Sequence, residues 1–121
     1  MMPNPYQKFM TQSVSTMKPN ELLLALYDKA IAELNRAIIF VEKKDIPSAH
    51  NSIIRVKDIV EALNSALSSK YEITDNLSSL YKYFHERLIT ANIQKDTKIL
   101  IELIPYFAEL REAFAIAGKS A

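Results

Sequence analysis

The clearest indication of the fold lies in residues 45–67, DIPSAHNSIIRVKDIVEALNSAL. Its apolar residues recur at alternating steps of four and three, the spacing that keeps one stripe of an α-helix facing a partner helix. The stripe consists of Ala49, Ile53, Val56, Val60, Leu63 and Leu67. Asp45 is a suitable N-cap, and Pro47 falls in the first turn, where its missing N–H costs little. The segment is therefore predicted to be one amphipathic helix of a bundle.

Three further stretches carry the same periodicity, one before this helix and two after it. The first is predicted to begin at Pro19 and to end near Lys44. The next begins around Thr74, or a residue or two earlier, and runs to about Gln94. Helices of roughly 20 to 25 residues with short connections must lie side by side. The sequence therefore predicts an all-α fold, an antiparallel up-down four-helix bundle.

The last helix contains two residues that need separate treatment. Asp96 is predicted to cap this helix, which ends near Gly118, the only glycine and a suitable residue for a left-handed C-terminal position. Pro105 lies inside the helix and removes the hydrogen bond to the Ile101 carbonyl, which predicts a kink between these two residues. The kink either wraps the helix around the core or opens a groove.

Length and composition exclude several classes of protein. The 121 residues fit a single domain (1–121), with an N-terminal cap over residues 1–18, short and helical or extended, and the bundle over residues 19–118. A net charge of +1, no cysteine and one glycine argue against nucleic-acid binding, disulfides and glycine-rich phosphate loops. No secretory signal or bilayer-length apolar run is recognisable, so we expect a cytoplasmic (cytosolic) protein without direct membrane insertion.

His50 and His85 are the first candidates for catalysis or metal binding. Di-iron bundles require a glutamate three residues before the histidine, but Pro47 and Lys82 stand there. The sequence also lacks the HExxH and GxSxG motifs. We therefore expect no catalytic residue, no metal site and no cofactor, and a protein that is not an enzyme. A signalling bundle that transfers a phosphoryl group through either histidine is the alternative function.

The helices carry more apolar residues than a four-helix bundle needs. Once the core stripes are assigned, the residues that point away from the central seam are Leu24, Ile39, Ile54, Ile59, Tyr83, Ile89, Ile93, Ile101 and Ile116. Contiguous exposed apolar patches mark interaction surfaces, so we expect a groove that holds a partner helix. A weak homodimer that uses the same residues is an alternative to a monomer that keeps the groove for a client.

The N-terminal segment is too apolar for a free tail. Tyr6, Phe9 and Met10 recur at helical spacing, while Pro3 and Pro5 limit a helix before Tyr6. A short amphipathic piece is predicted to lay these three side chains on the bundle and to cover apolar surface until a partner displaces it.

Several short motifs, in order along the whole chain, resemble the flagellar export chaperone family FliS. They are Asn4-Pro5-Tyr6 with Phe9, Pro19-Asn20-Glu21-Leu22, residues 26–31, Asn76-Leu77, residues 80–83, Arg87-Leu88, Ala91-Asn92 and residues 110–114. The resemblance implies a cytoplasmic chaperone that binds the disordered C-terminal segment of flagellin, prevents premature polymerisation and assists type III export. It also implies that the chaperone delivers its cargo to the membrane export gate, a second partner.

The resemblance suggests where these partners bind. It assigns Tyr6 and Phe9 to a mobile cap, with Met10 beside them. For the contacts with flagellin we nominate the outward apolar residues Ile54, Ile59, Tyr83, Ile89 and Ile93.

Overall fold

A computed structural model describes residues 19–67 and 72–120. Within these ranges the chain forms four α-helices and no β-strand: α1 (Pro19–Glu42), α2 (Ile46–Ser65), α3 (Glu72–Gln94) and α4 (Thr97–Ser120). Around the bundle, α1 packs against α2 and α4, and α3 packs against α2 and α4. The predicted all-α four-helix bundle is confirmed. The predicted cap over residues 1–18, with Tyr6, Phe9 and Met10, lies outside the described residues.

Short polar side chains start two of the helices, as predicted. Asp45 is the N-cap of α2, where its Oδ1 accepts a hydrogen bond from the Ser48 N–H at 3.2 Å, and a proline follows in the first turn. Before α4, Asp96 Oδ1 accepts a hydrogen bond from the Lys98 N–H at 2.9 Å. Each bond satisfies a backbone donor that has no partner within its own helix.

Two lysines in the left-handed conformation close the α1–α2 and α3–α4 turns. The φ angle is 61° at Lys44 and 50° at Lys95. The residue after each lysine donates its N–H to a carbonyl five positions back, at 2.8 Å to Phe40 and 3.1 Å to Ala91. This is the hydrogen-bond pattern of the Schellman motif, which more often has glycine at the left-handed position. Lysines in this role were not predicted from the sequence.

The prediction of a left-handed Gly118 is wrong. Gly118 lies inside α4, which continues to Ser120, and no glycine in the described ranges has a positive φ. A Cβ atom built at Gly118 would stand 2.6 Å from Cγ of Asn20, at the start of α1. A side chain at Gly118 would therefore require the Asn20 side chain to move.

Pro105 lies within α4, and the helix continues through it from Thr97 to Ser120. Both Pro105 and Ile101 face the solvent, with Ile101 53% exposed. Water can therefore reach this side of the helix, where the proline removes a backbone hydrogen bond. The bend between the two residues stays a prediction.

The core is built from the predicted apolar stripes of all four helices. Its buried members include Leu34 of α1, Val56 of α2, Leu88 of α3 and Leu103 of α4. The backbones of α3 and α4 make the fewest close approaches of the four neighbouring pairs, and aromatic side chains fill this interface. The rings of Phe84 and Phe107 stack there with their centroids 4.8 Å apart.

One hydrogen bond crosses the core between opposite corners of the bundle. It joins the hydroxyl groups of Tyr27 on α1 and Tyr81 on α3, whose side chains are 0% and 2% exposed. Burial is the main cause that raises the pKa of both phenols above the usual range, so both remain neutral. The stacked ring of Phe114 covers Tyr27, with the centroids 5.7 Å apart.

Candidate protein-binding surfaces

Large apolar side chains are exposed on several faces of the bundle. They are Ile39, Ile46, Tyr83, Ile89, Ile93, Ile101, Tyr106 and Ile116, of which Ile93 is the most exposed at 78%. All of these were predicted to point outward except Ile46 and Tyr106, whose exposure was not predicted. Leu24 and Ile54, also expected to point outward, are partly buried.

The prediction that Ile59 points outward is wrong, because its side chain is only 6% exposed and belongs to the core. Ile59 shares a helix face with Ser52 and Arg55, at spacings of seven and four residues. That face lies against α1, where Arg55 reaches Glu33. Since α2 packs between α1 and α3, its buried arc is wider than the single stripe read from the sequence.

Two polar contacts cross the seam between α2 and α3. Near one end, Asn92 Nδ2 lies 2.9 Å from His50 Nδ1. Towards the other end, Glu61 Oε1 lies 3.2 Å from His85 Nε2. Lys95 Nζ donates a hydrogen bond to Asn92 Oδ1 at 2.7 Å, so the Asn92 amide nitrogen is the group that faces His50 and donates to it. Both histidines therefore hold neighbouring helices together.

Ile54 and Ile89 lie between these contacts, and Ile93 lies just beyond the contact of His50 with Asn92. Together the three isoleucines form the apolar part of a surface that we call the α2–α3 surface. The helices are antiparallel, and the contacts of His50 with Asn92 and of Glu61 with His85 set their register. This register puts Ile54 and Ile89 at the same level, with Ile93 about one turn further along α3. Three of the nominated partner contacts therefore share one surface.

Tyr83 lies on the other flank of α3, in an α3–α4 surface with Arg87, Glu102 and Tyr106. The Tyr83 hydroxyl donates to Glu102 Oε1 at 2.8 Å, and Arg87 Nη2 donates to Glu102 Oε2 at 2.9 Å. The bond from Tyr83 is the largest cause that holds the pKa of the Glu102 carboxyl below its usual range, and the bond from Arg87 is the second largest. The same bond to Glu102 raises the pKa of Tyr83. The ring of Tyr106 stands edge-on to that of Tyr83 at 6.3 Å.

A cleft opens on the α2–α3 seam, on the side of the Glu61 and His85 contact that faces away from Ile54. Its volume is about 230 Å³. The buried side chains of Val60 and Tyr81 line it, together with polar residues that include Asn64 and Lys82. The sequence pattern does not predict this cleft, because its walls come from two helices and periodicity does not fix how the two rotate against each other.

A buried carboxylate is the second feature that was not predicted from the sequence. Glu33 of α1 is 0% exposed, and its oxygens lie 2.7 Å from Arg36, 3.5 Å from Lys29 and 3.5 Å from Arg55 of α2. Burying a carboxylate is costly unless cations and donors compensate it. Here three cations lie around it, but in the described ranges only Oε1 accepts a hydrogen bond, from Arg36, and Oε2 accepts none. The available signal was its spacing of three and four residues from Ala30 and Ala37, on the apolar face of α1.

Two kinds of feature are absent from residues 19–67 and 72–120. No group of three or more histidine, cysteine, aspartate or glutamate side chains is placed to hold a metal ion in this part of the chain. None of the helices described there combines the length and apolar character needed to cross a membrane.

A four-helix bundle that exposes apolar side chains along its seams has the architecture of a helical protein-binding module. The family model "Flagellar protein FliS" matches residues 2–121. The flagellar secretion chaperone FliS of Bacillus subtilis is 32% identical over 117 residues, covering 97% of this chain and 88% of that protein. Its counterpart from Salmonella typhimurium is 30% identical over 105 residues, covering 84% of this chain and 78% of that protein. The chain belongs to the FliS family of flagellar secretion chaperones.

The fold also has a counterpart among solved structures. A crystal structure of a bacterial flagellar chaperone superposes with a TM-score of 0.80, covering 96% of each chain at 16% sequence identity. This similarity confirms the bundle architecture.

Proposed function

We propose that the protein is a cytosolic export chaperone that binds the C-terminal segment of flagellin. By covering that segment it prevents premature polymerisation, and it delivers flagellin to the export gate of the flagellar type III system. The observation that carries the proposal is the α2–α3 surface, where Ile54, Ile89 and Ile93 form an apolar track on a member of a flagellar secretion chaperone family.

The geometry of this track fits a helical partner segment. Its residues lie along the antiparallel seam of two helices, where an amphipathic helix can place its own apolar stripe. A segment that is disordered when free would fold onto this seam, so binding should be accompanied by a gain of helix and a negative heat-capacity change.

The energy available from one surface indicates that the partner contacts more than one. Burying a fully exposed apolar side chain contributes roughly 1.5 to 3 kcal/mol. Ile89 and Tyr83 are 41% and 37% exposed, so each contributes only a part of this. A micromolar complex needs about 8 kcal/mol after the cost of association has been met. We therefore expect flagellin to extend from the α2–α3 surface across α3 to the α3–α4 surface around Tyr83.

Calorimetric titration with a peptide from the C-terminus of the cognate flagellin tests the proposal, with helix content followed by circular dichroism. We expect one peptide per chaperone and a gain of helix. The double variant Ile89→Ser/Ile93→Ser should bind at least about tenfold more weakly. Ile39→Ser is a matched control, since Ile39 is 46% exposed but lies on α1, diagonally opposite α3. No binding by the wild-type protein would refute the proposed function.

A further inference from the structure

The cleft on the α2–α3 seam has the size of a site for one side chain. Sites for cofactors and drug-sized molecules usually enclose about 300 to 1,000 Å³. The cleft measures about 230 Å³ and is open on one side. Val60 and Tyr81 form its floor and are almost fully buried, at 1% and 2% exposed, while polar side chains line the rest of it. A single bulky apolar side chain from a binding partner can therefore fill it.

Charge at the rim of the cleft indicates what should accompany this side chain. The carboxylate of Glu61 already lies 3.2 Å from His85 Nε2 and 3.7 Å from Lys57 Nζ. Lys82, on the opposite wall, is exposed and forms no ion pair with another residue of the described ranges. The rim therefore has a cation to spare, and a carboxylate on the partner would complement it.

The position of the cleft relates it to the α2–α3 surface. Glu61 follows Ile54 by seven residues on α2, and Lys82 precedes Ile89 by seven residues on α3. Seven residues are two helical turns, or about 10 Å along the bundle. When one residue of a partner helix lies on Ile54 and Ile89, the partner residue seven positions from it in sequence therefore lies at the cleft.

We propose that the cleft receives one large apolar side chain of the flagellin helix bound along the α2–α3 surface, and that Lys82 pairs with an acidic residue within one turn of that side chain. The inference rests on the proposed function and adds a sequence requirement for the client. The bound segment carries apolar residues seven positions apart, with an aspartate or glutamate three or four positions from the one that enters the cleft.

Two variants test the cleft separately from the function as a whole, with the flagellin C-terminal peptide as the probe. Asn64→Trp places a large side chain at the mouth of the cleft, and we expect at least about tenfold weaker binding. Lys82→Glu reverses the spare charge and should weaken binding about three- to tenfold. Both residues are exposed, so the fold should be retained, which circular dichroism checks.

A charge-matched control and a reciprocal peptide complete the experiment. Lys43→Glu changes the net charge by the same amount, but Lys43 is exposed in the α1–α2 turn, at the end of the bundle away from the cleft. It should bind within about twofold of wild type. A peptide whose proposed acidic residue is replaced by lysine should bind Lys82→Glu better than wild type.

The outcomes separate the two proposals. If the wild-type protein does not bind the flagellin peptide, both proposals are overturned. If it binds, but Asn64→Trp and Lys82→Glu bind as tightly as Lys43→Glu, the function stands and the cleft has no part in it. Loss of affinity in Lys82→Glu that the reciprocal peptide does not restore would overturn the proposed ion pair.

Discussion

Replacing Tyr27 or Tyr81 with phenylalanine tests whether the buried hydroxyl pair stabilises the bundle. Each replacement removes one oxygen and leaves the aromatic packing in place, including the stack of the Tyr27 ring on Phe114. The remaining hydroxyl then has no partner in the described part of the chain, because its only hydrogen bond there was to the other tyrosine. The double variant removes both polar groups together.

Burial determines the magnitude of the effect. Tyr27 and Tyr81 are 0% and 2% exposed, so a lone hydroxyl cannot exchange its lost partner for bulk water. Leaving a buried polar group unsatisfied costs about 1 to 3 kcal/mol, whereas replacing both partners with apolar groups of similar shape is nearly neutral. We expect each single variant to lose about 1 to 2 kcal/mol and the double variant to lose clearly less than the sum.

Urea denaturation followed by circular dichroism measures the free energy of unfolding of all four proteins in this cycle. An unchanged urea dependence across the set would show that all four proteins expose the same amount of surface on unfolding. Thermal melts provide a second reading, at roughly 3 to 6 °C per kcal/mol for a chain of this size. Additive losses in the double variant would refute the reasoning, because they would mean that the two hydroxyls do not satisfy each other.

Three further changes test local features of the fold. Asp45→Ala removes the N-cap of α2 and should lower the free energy of unfolding by about 1 kcal/mol in urea denaturation, while a substitution at exposed Asn51 should not. Lys44→Gly removes the strain of a lysine in the left-handed conformation, so it should raise the free energy of unfolding by about 0.5 to 1 kcal/mol. A higher melting temperature measures this gain. The folded-state pKa of Glu102 is lowered, so its contribution to stability is present above the unfolded pKa and is lost as the pH falls through the folded one. Glu102→Gln should therefore be less stable at pH 7 and lose less stability between pH 7 and acid in a series of urea denaturations, and an unchanged pH dependence would contradict this.

Much of the fold could be predicted because its signals are local. The starts of α1 and α2 follow from Pro19 and from Asp45 with Pro47. The stripe from Ala49 to Leu63 is buried as its spacing predicts. Gly118 shows the limit of such rules, because a residue suited to a helix end lies inside α4 instead, against the Asn20 side chain of another helix.

The candidate site could be predicted only in part. Ile89 and Ile93 are exposed as expected, but Ile59 is buried against α1. Tyr83 is exposed too, yet it belongs to a different seam, where it contacts Glu102 of α4. The periodicity of one helix shows which of its residues share a face. Which helix lies next to each face depends on how the four helices rotate against one another.

The sequence by itself determined the helices, their approximate ends and the stripe that each turns to the core, because helical period and capping are properties of short stretches of chain. Only the tertiary structure decided that Glu33 is buried among cations of two helices, that Tyr83 is separated from Ile89, and that a cleft opens beside Lys82. These features require side chains from different helices to meet, and helix rotation and register, which arise only when the whole core packs, set where they do so.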